Sequence, residues 1–167
     1  MKHSWKHLWK LKAPPRTRLF MWTVLKNKDP TGDNLNKRAH HGPSWCCICK
    51  NRTKIIDHLF LTCMITVDLW NTTIRVIDIH CQWQGTSVLD ASILWWTTTS
   101  PNKARNIPLL LCWAIWIARN QYIFQNTILY WPSISTCILV TYNSIPDDDV
   151  APTSRKIVPE VVNWDYP

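Results

Sequence analysis

The sequence predicts a mostly α fold: a small helical domain around a Cys-Cys-His-Cys (CCHC) zinc knuckle, then a helical segment, then a flexible C-terminal tail. Three observations carry this expectation. Cys46 and Cys49 form a C-x2-C pair that His58 and Cys63 close as H-x4-C. Several stretches repeat apolar residues at intervals of three and four, the period of a helix with one buried face. From Pro146 onward, Asp147-Asp148-Asp149, further prolines and isolated apolar residues have the composition of a solvated linker. The expected divisions are 1–79 for the zinc-binding domain, 80–145 for the helical extension and 146–167 for the linker.

The elements follow in chain order. Residues 3–12 place Trp5, Leu8, Trp9 and Lys12 at helical spacing. Pro14 and Pro15 end that helix, and Pro15 can open the next because the first turn needs no N–H from it. The second helix, 15–27, shows a broad apolar face of Leu19, Phe20, Met21, Trp22, Val24 and Leu25. Its polar stripe is Arg16, Thr23 and Asn27. Asp29-Pro30-Thr31 stops it, with Thr31 as the N-cap of a third helix reaching Arg38 or Ala39. A loop through His40 and His41 delivers the chain to the first cysteine.

After Cys63, the run Val67, Leu69, Trp70, Ile74 and Ile77 predicts a helix packing back over the knuckle. A helix beginning near Cys63 would also aim backbone N–H groups at its thiolate. Residues 80–90 form a connector around Gly85. Helices are expected over Ser87–Trp96, then about 103–125, apolar nearly all round between Leu109 and Ile117 as buried helices are. A last one runs from Trp131-Pro132 through about Tyr142.

Zinc takes four soft or borderline ligands at tetrahedral corners, and three thiolates with one imidazole satisfy it. The two-residue gap lets a tight turn aim two sulfurs at one point, and the loop after Cys49 returns His58 and Cys63 from the other side. A closed set of four leaves no open position for water, so the expected Zn²⁺ is structural and not hydrolytic. Cys47 is a competing ligand, although with Cys49 it would span only one residue. Three thiolates leave the loaded site near −1, which Lys50, Arg52 and Lys54 can offset.

The 167 residues include seven cysteines, twelve tryptophans and only three glycines. So few glycines leave no phosphate-cradling loop of the G-x-G-x-x-G or G-x-x-x-x-G-K type. Lys2, Lys6, Lys10 and Lys12 interrupt any secretion-type apolar run, and the longest apolar stretch, 107–118, is short for a bilayer. The expectation is therefore an intracellular, reducing setting with no membrane contact, where cysteines serve as metal ligands and core residues. Cys81, Cys112 and Cys137 are expected to be buried.

Charge is uneven. Residues 1–63 hold 13 Lys+Arg against Asp29, Asp33 and Asp57, whereas the rest holds 6 against 8 Asp+Glu. A basic half built around a zinc site is the footprint of a nucleic-acid contact. Candidate phosphate contacts are Lys50, Arg52, Lys54, Arg16 and Arg18, with Trp45 as a stacking platform for a base or, alternatively, a lid on the knuckle. There is no Y-x-D-D and no carboxylate cluster for two-metal phosphoryl chemistry, so no enzyme activity is expected.

The order Trp5, Leu8-Trp9-Lys10, Ala13-Pro14-Pro15-Arg16, Leu19-Phe20-Met21-Trp22, Pro30-Thr31, Asn34-Leu35, Arg38, Cys46-x2-Cys49, His58-Leu59-Phe60, Cys63 and Trp70 resembles the zinc-binding domain of plant reverse transcriptases from non-LTR (LINE-type) retrotransposons. Cys112-Trp113-Ala114-Ile115-Trp116-Ile117-Ala118-Arg119-Asn120 looks like the helix that follows it there, and Val162 to Pro167 resembles the lead-in to an RNase H domain. This chain departs from the usual pattern at Cys47, Lys54 and Met64. The resemblance implies a module that follows the polymerase in a longer polyprotein and holds RNA or single-stranded DNA near it. The alternative is a structural spacer between polymerase and RNase H that touches no nucleic acid.

Overall fold

The computed structural model describes residues 4–28, 45–51, 55–100, 102–127 and 130–146. The expected third helix with its Thr31 cap, the His40-His41 loop, Arg52, Lys54 and the tail from 147 lie outside them. Among the described residues the chain is helical without strands: α1 (Ser4–Lys10), α2 (Pro15–Leu25), a π turn (His58–Thr62), α3 (Met64–Ile77), α4 (Val88–Thr98), a 3₁₀ turn (Asn102–Asn106), α5 (Ile107–Gln125) and α6 (Trp131–Ser144).

With so few glycines, left-handed backbone falls to other residues. Asn27, Lys50, Asp78 and Asn126 all have φ between 52° and 57°. Asp78 ends α3 in a Schellman arrangement, its N–H on the Arg75 carbonyl and that of Ile79 on the Ile74 carbonyl. Asn27 ends α2 in the same way, through bonds to Val24 and from Lys28 to Thr23. Gly85 is required for space. A Cβ there would lie 2.7 Å from the backbone nitrogen of Ala91, where the connector folds against the start of α4.

The apolar helix α5 is central. Ile107, Leu109, Leu111, Cys112 and Ile115 are fully buried, and the helix packs against both α2 and α6, while α3 also packs against α6. The segment 102–125 is long and apolar enough to cross a membrane, but 67% of its apolar window is buried in this fold, as in a core helix. Buried residues on both sides of position 79 belong to one cluster. Phe20 of α2 is its hinge, with its ring 5.1 Å from Trp113, 5.7 Å from Trp116 and 6.2 Å from Phe60.

The tryptophans act as ties. The indole N–H of Trp95 donates to the Ala104 carbonyl (3.0 Å) and that of Trp96 to the Arg105 carbonyl (3.1 Å), fastening α4 to the 3₁₀ turn. Such side chains suit this task because they bury a large apolar body and still offer one donor. Arg119 is buried in α5, its guanidinium carbon 4.8 Å above the Trp116 ring and its Nη1 donating to Asn120 Oδ1 at 2.7 Å.

Several details correct the sequence reading. Leu19 and Val67, assigned to apolar faces, are exposed, whereas Thr17 is buried. The helix expected from 103 begins as a 3₁₀ turn, and α proper starts at Ile107 with Pro108 in its first turn. Cys112 is buried as expected, but Cys81 and Cys137 are only half-buried. These misses share a cause: periodicity counts apolar residues around one helix and does not register which neighbour covers them.

Candidate metal centre

Two short structures hold the site. Cys46 precedes and Cys49 ends a turn over 47–49, closed by the Lys50 N–H donating to the Cys46 carbonyl at 2.8 Å. Lys50 itself adopts the left-handed conformation, which lets the chain turn away immediately after the second cysteine. On the other side, the π turn runs from His58 to Thr62, with the Cys63 N–H donating back five residues to the His58 carbonyl at 2.7 Å. In an ordinary α-helix, residues five apart lie about 140° out of alignment around the axis. The wider i→i+5 turn removes most of that offset, so the H-x4-C spacing presents both side chains to one point.

Cys46, Cys49, His58 and Cys63 are thereby brought together, their four ligand atoms all within 4.8 Å of one another. The Cys49 Sγ to His58 Nε2 distance is 3.3 Å. With Zn–S near 2.3 Å and Zn–N near 2.0–2.1 Å, a tetrahedral site has S···S edges of about 3.8 Å and S···N edges of about 3.6 Å. The donor set and its spacing therefore fit a zinc ion after small adjustments of the thiols. Cys46, His58 and Cys63 are buried and Cys49 is half-buried. Cys47, the competing ligand in the sequence, is not part of the cluster.

The surroundings favour thiolate charge at Cys63. Cys63 is the residue before α3, and the hydrogen bond from the Cys46 thiol lowers its pKa to about 5 against the opposing effect of burial. The backbone N–H groups of Thr66 and Ile65 assist, as expected for a helix opening at this point. The same shared proton, followed by burial, pushes the Cys46 thiol upward. His58 is oriented by Thr62, whose Oγ1 lies 3.2 Å from Nδ1, leaving Nε2 directed at the sulfurs. Thr62 is absent from the sequence reading, although its position four residues after the histidine on a helical turn would have been a usable signal.

Two further links reach beyond the cluster. Asp57, next to His58, accepts the Val88 N–H at 2.8 Å and so caps α4 from outside. The Phe60 carbonyl, in the middle of the π turn, accepts the indole N–H of both Trp70 (3.1 Å) and Trp83 (2.9 Å). Those two rings stack in parallel, with centroids 4.2 Å apart. No spacing rule connects Trp83 to Phe60, so this link was invisible in the sequence.

Residues 1–70 match the family described as zinc-binding in reverse transcriptase. The match contains all four clustered residues and supports a reverse transcriptase zinc-binding domain over less than half of the chain. It ends at Trp70, so Trp83, α4, α5 and α6 lie beyond it. No curated protein and no solved structure matches the chain.

Of the other sequence candidates, Trp45 is 55% exposed. Lys50 and Arg16 are exposed as well. Arg18 is half-buried and its Nη1 donates to the Trp9 carbonyl at 3.1 Å, so part of its donor capacity serves the α1–α2 junction.

Proposed function

We propose that residues 1–79 bind one Zn²⁺ through Cys46, Cys49, His58 and Cys63 and act as a non-catalytic module of a reverse transcriptase of the plant non-LTR retrotransposon kind. The module would hold RNA or single-stranded DNA beside the polymerase and RNase H domains of a longer polyprotein. The observation that carries this reading is the convergence of a closed Cys3His donor set inside the segment that matches the family. When bound, zinc supplies a structural cross-link between the 47–49 turn and the π turn.

The chain's own residues supply the contact. Lys50 and Arg16 are exposed cations for phosphates, Arg18 adds what its bond to Trp9 leaves, and Arg52 and Lys54 belong to the same loop in the sequence. The exposed Trp45, beside the first ligand, offers a ring face on which a base can stack, contributing on the order of 1–3 kcal/mol with little sequence preference.

Native mass spectrometry of protein purified without chelator tests the metal. One zinc per chain is expected, lost in Cys63→Ser and His58→Ala and kept in Cys81→Ser. Full zinc occupancy in Cys63→Ser would remove the assignment. A salt titration of a labelled single-stranded oligonucleotide tests the contact, since each phosphate contact contributes about −0.7 to the log–log slope. The Lys50/Arg52/Lys54→Ala variant, still folded and zinc-loaded, should lose about 2 units of slope. An unchanged slope would leave the spacer reading ahead.

A further inference from the structure

Past the end of the family match, α3, the connector after it and α4 border an open groove of about 620 Å³. That volume lies within the range of about 300–1,000 Å³ usual for ligand sites. Asn71, Ile74 and Arg75 stand three and four residues apart on α3, so they share one face and form the first wall. Leu94 and Thr98, four apart on α4, belong to the second. The connector supplies the rest, including Gln82 and Gln84.

The walls are tied to one another. The Ile79 N–H returns to the Ile74 carbonyl at 3.1 Å, just after the left-handed Asp78 ends α3. Cys81 Sγ lies 3.6 Å from the Thr98 hydroxyl, which itself donates to the Leu94 carbonyl at 2.7 Å. Trp83 is held by the Phe60 carbonyl and the Trp70 ring, while its neighbours Gln82 and Gln84 stay exposed and line the groove.

The groove therefore presents three carboxamides and a guanidinium beside the apolar Ile74 and Leu94. Among the described residues, no hydrogen bond or ion pair occupies the side chains of Asn71, Gln82, Gln84 or Arg75. A carboxamide offers a donor and an acceptor side by side, the complement of adenine N7 and N6–H₂. Guanine places two acceptors there, which suit a cation better. Arg75 adds a planar fork of donors that matches a phosphate, and no aspartate or glutamate lines the groove to repel one.

We propose that this groove takes one adenine nucleotide of a single strand, its base edge on the amides of Asn71, Gln82 and Gln84 and its phosphate on Arg75. The proposal rests on the nucleic-acid reading above and adds what the Lys50 and Trp45 contacts lack, a preference among bases. The zinc-loaded full chain is titrated with two labelled oligothymidylates of equal length, one carrying a central block of adenines. Wild type should bind the adenine-containing strand about tenfold tighter, the discrimination of one amide–base pair. Asn71→Ala/Gln82→Ala/Gln84→Ala should bind both strands alike. Arg75→Gln should flatten the log–log salt slope by about 0.7, and Lys50→Gln should flatten it equally while keeping the preference for adenine.

Equal affinity of wild type for the two strands, or a preference that survives in the folded triple variant, would overturn the groove while leaving the Lys50 contact standing. An unchanged slope in Arg75→Gln would remove the phosphate contact and the proposal with it. No binding of either strand by wild type would overturn both sites. Adenosine monophosphate alone should compete poorly, because it lacks the strand's other phosphates. Displacement of the strand by a similar concentration of that nucleotide would make the groove a site for the free molecule and overturn its assignment to a strand. Should the triple variant fail to fold, Gln84→Ala alone, an exposed position, must narrow the preference, and no change there overturns the proposal.

Discussion

At the scale of single residues, the imidazole of His58 shows how little freedom the site leaves. One nitrogen faces Cys49 and the other faces the Thr62 hydroxyl, so ring orientation is set before any metal arrives. Partners of this kind commonly account for 10–100-fold in metal affinity. Thr62→Val is therefore expected to weaken zinc binding by about tenfold without abolishing it, as read by competition with a colorimetric chelator; unchanged affinity would assign orientation to the backbone alone. Asp78 offers a second test. A left-handed non-glycine residue costs about 1–2 kcal/mol, and glycine returns part of that as entropy of the unfolded chain. Asp78→Gly should thus stabilise the protein by about 0.5–1 kcal/mol in urea unfolding, with no change in zinc content.

At the scale of elements, the ligand set and the order of helices were legible because both are local. C-x2-C specifies a tight turn, and the apolar repeats of α3 and α5 specify helices whatever they pack against. The π turn was not legible, since H-x4-C says only that two ligands must meet and not how the backbone widens to let them. The long-range ties were hidden for the same reason. Asp57 capping α4 joins residues 31 apart, and nothing near Asp57 announces it. Removing this cap should cost about 1 kcal/mol, so Asp57→Ala is expected to lower the urea midpoint while Asp57→Asn, which keeps an acceptor, lowers it less. An Ala variant with the wild-type midpoint would mean that the Val88 N–H finds water without penalty.

At the scale of the whole molecule, the buried cluster passes through position 79 without interruption, with Phe20 touching aromatic rings on both sides. Removing the metal should therefore act unequally. Hydrogen exchange after chelation is expected to accelerate first at 46–63, then in the first turn of α4, which loses its Asp57 cap as the π turn loosens. The middle of α5, buried on nearly every side, should keep its protection longest. Simultaneous opening of 46–63 and 109–117 would show instead a single cooperative unit with no internal gradient.

The pair of indoles on the Phe60 carbonyl bears on how such a sequence can be moved or shortened. Trp70 is the last residue of the family match, and Trp83, stacked upon it, is thirteen residues further on. A recombination or gene-design boundary drawn at 70 would carry every zinc ligand and leave behind the second donor and the ring that shields the first. The transplanted piece would keep the recognisable signature and present a bare tryptophan face to water, an adhesive patch on an otherwise competent metal module. Extending the boundary to 145 includes Trp83, the Asp57-capped helix, the Ala104 and Arg105 carbonyls that hold Trp95 and Trp96, and both α5 and α6, and is expected to turn an aggregating fragment into a soluble one.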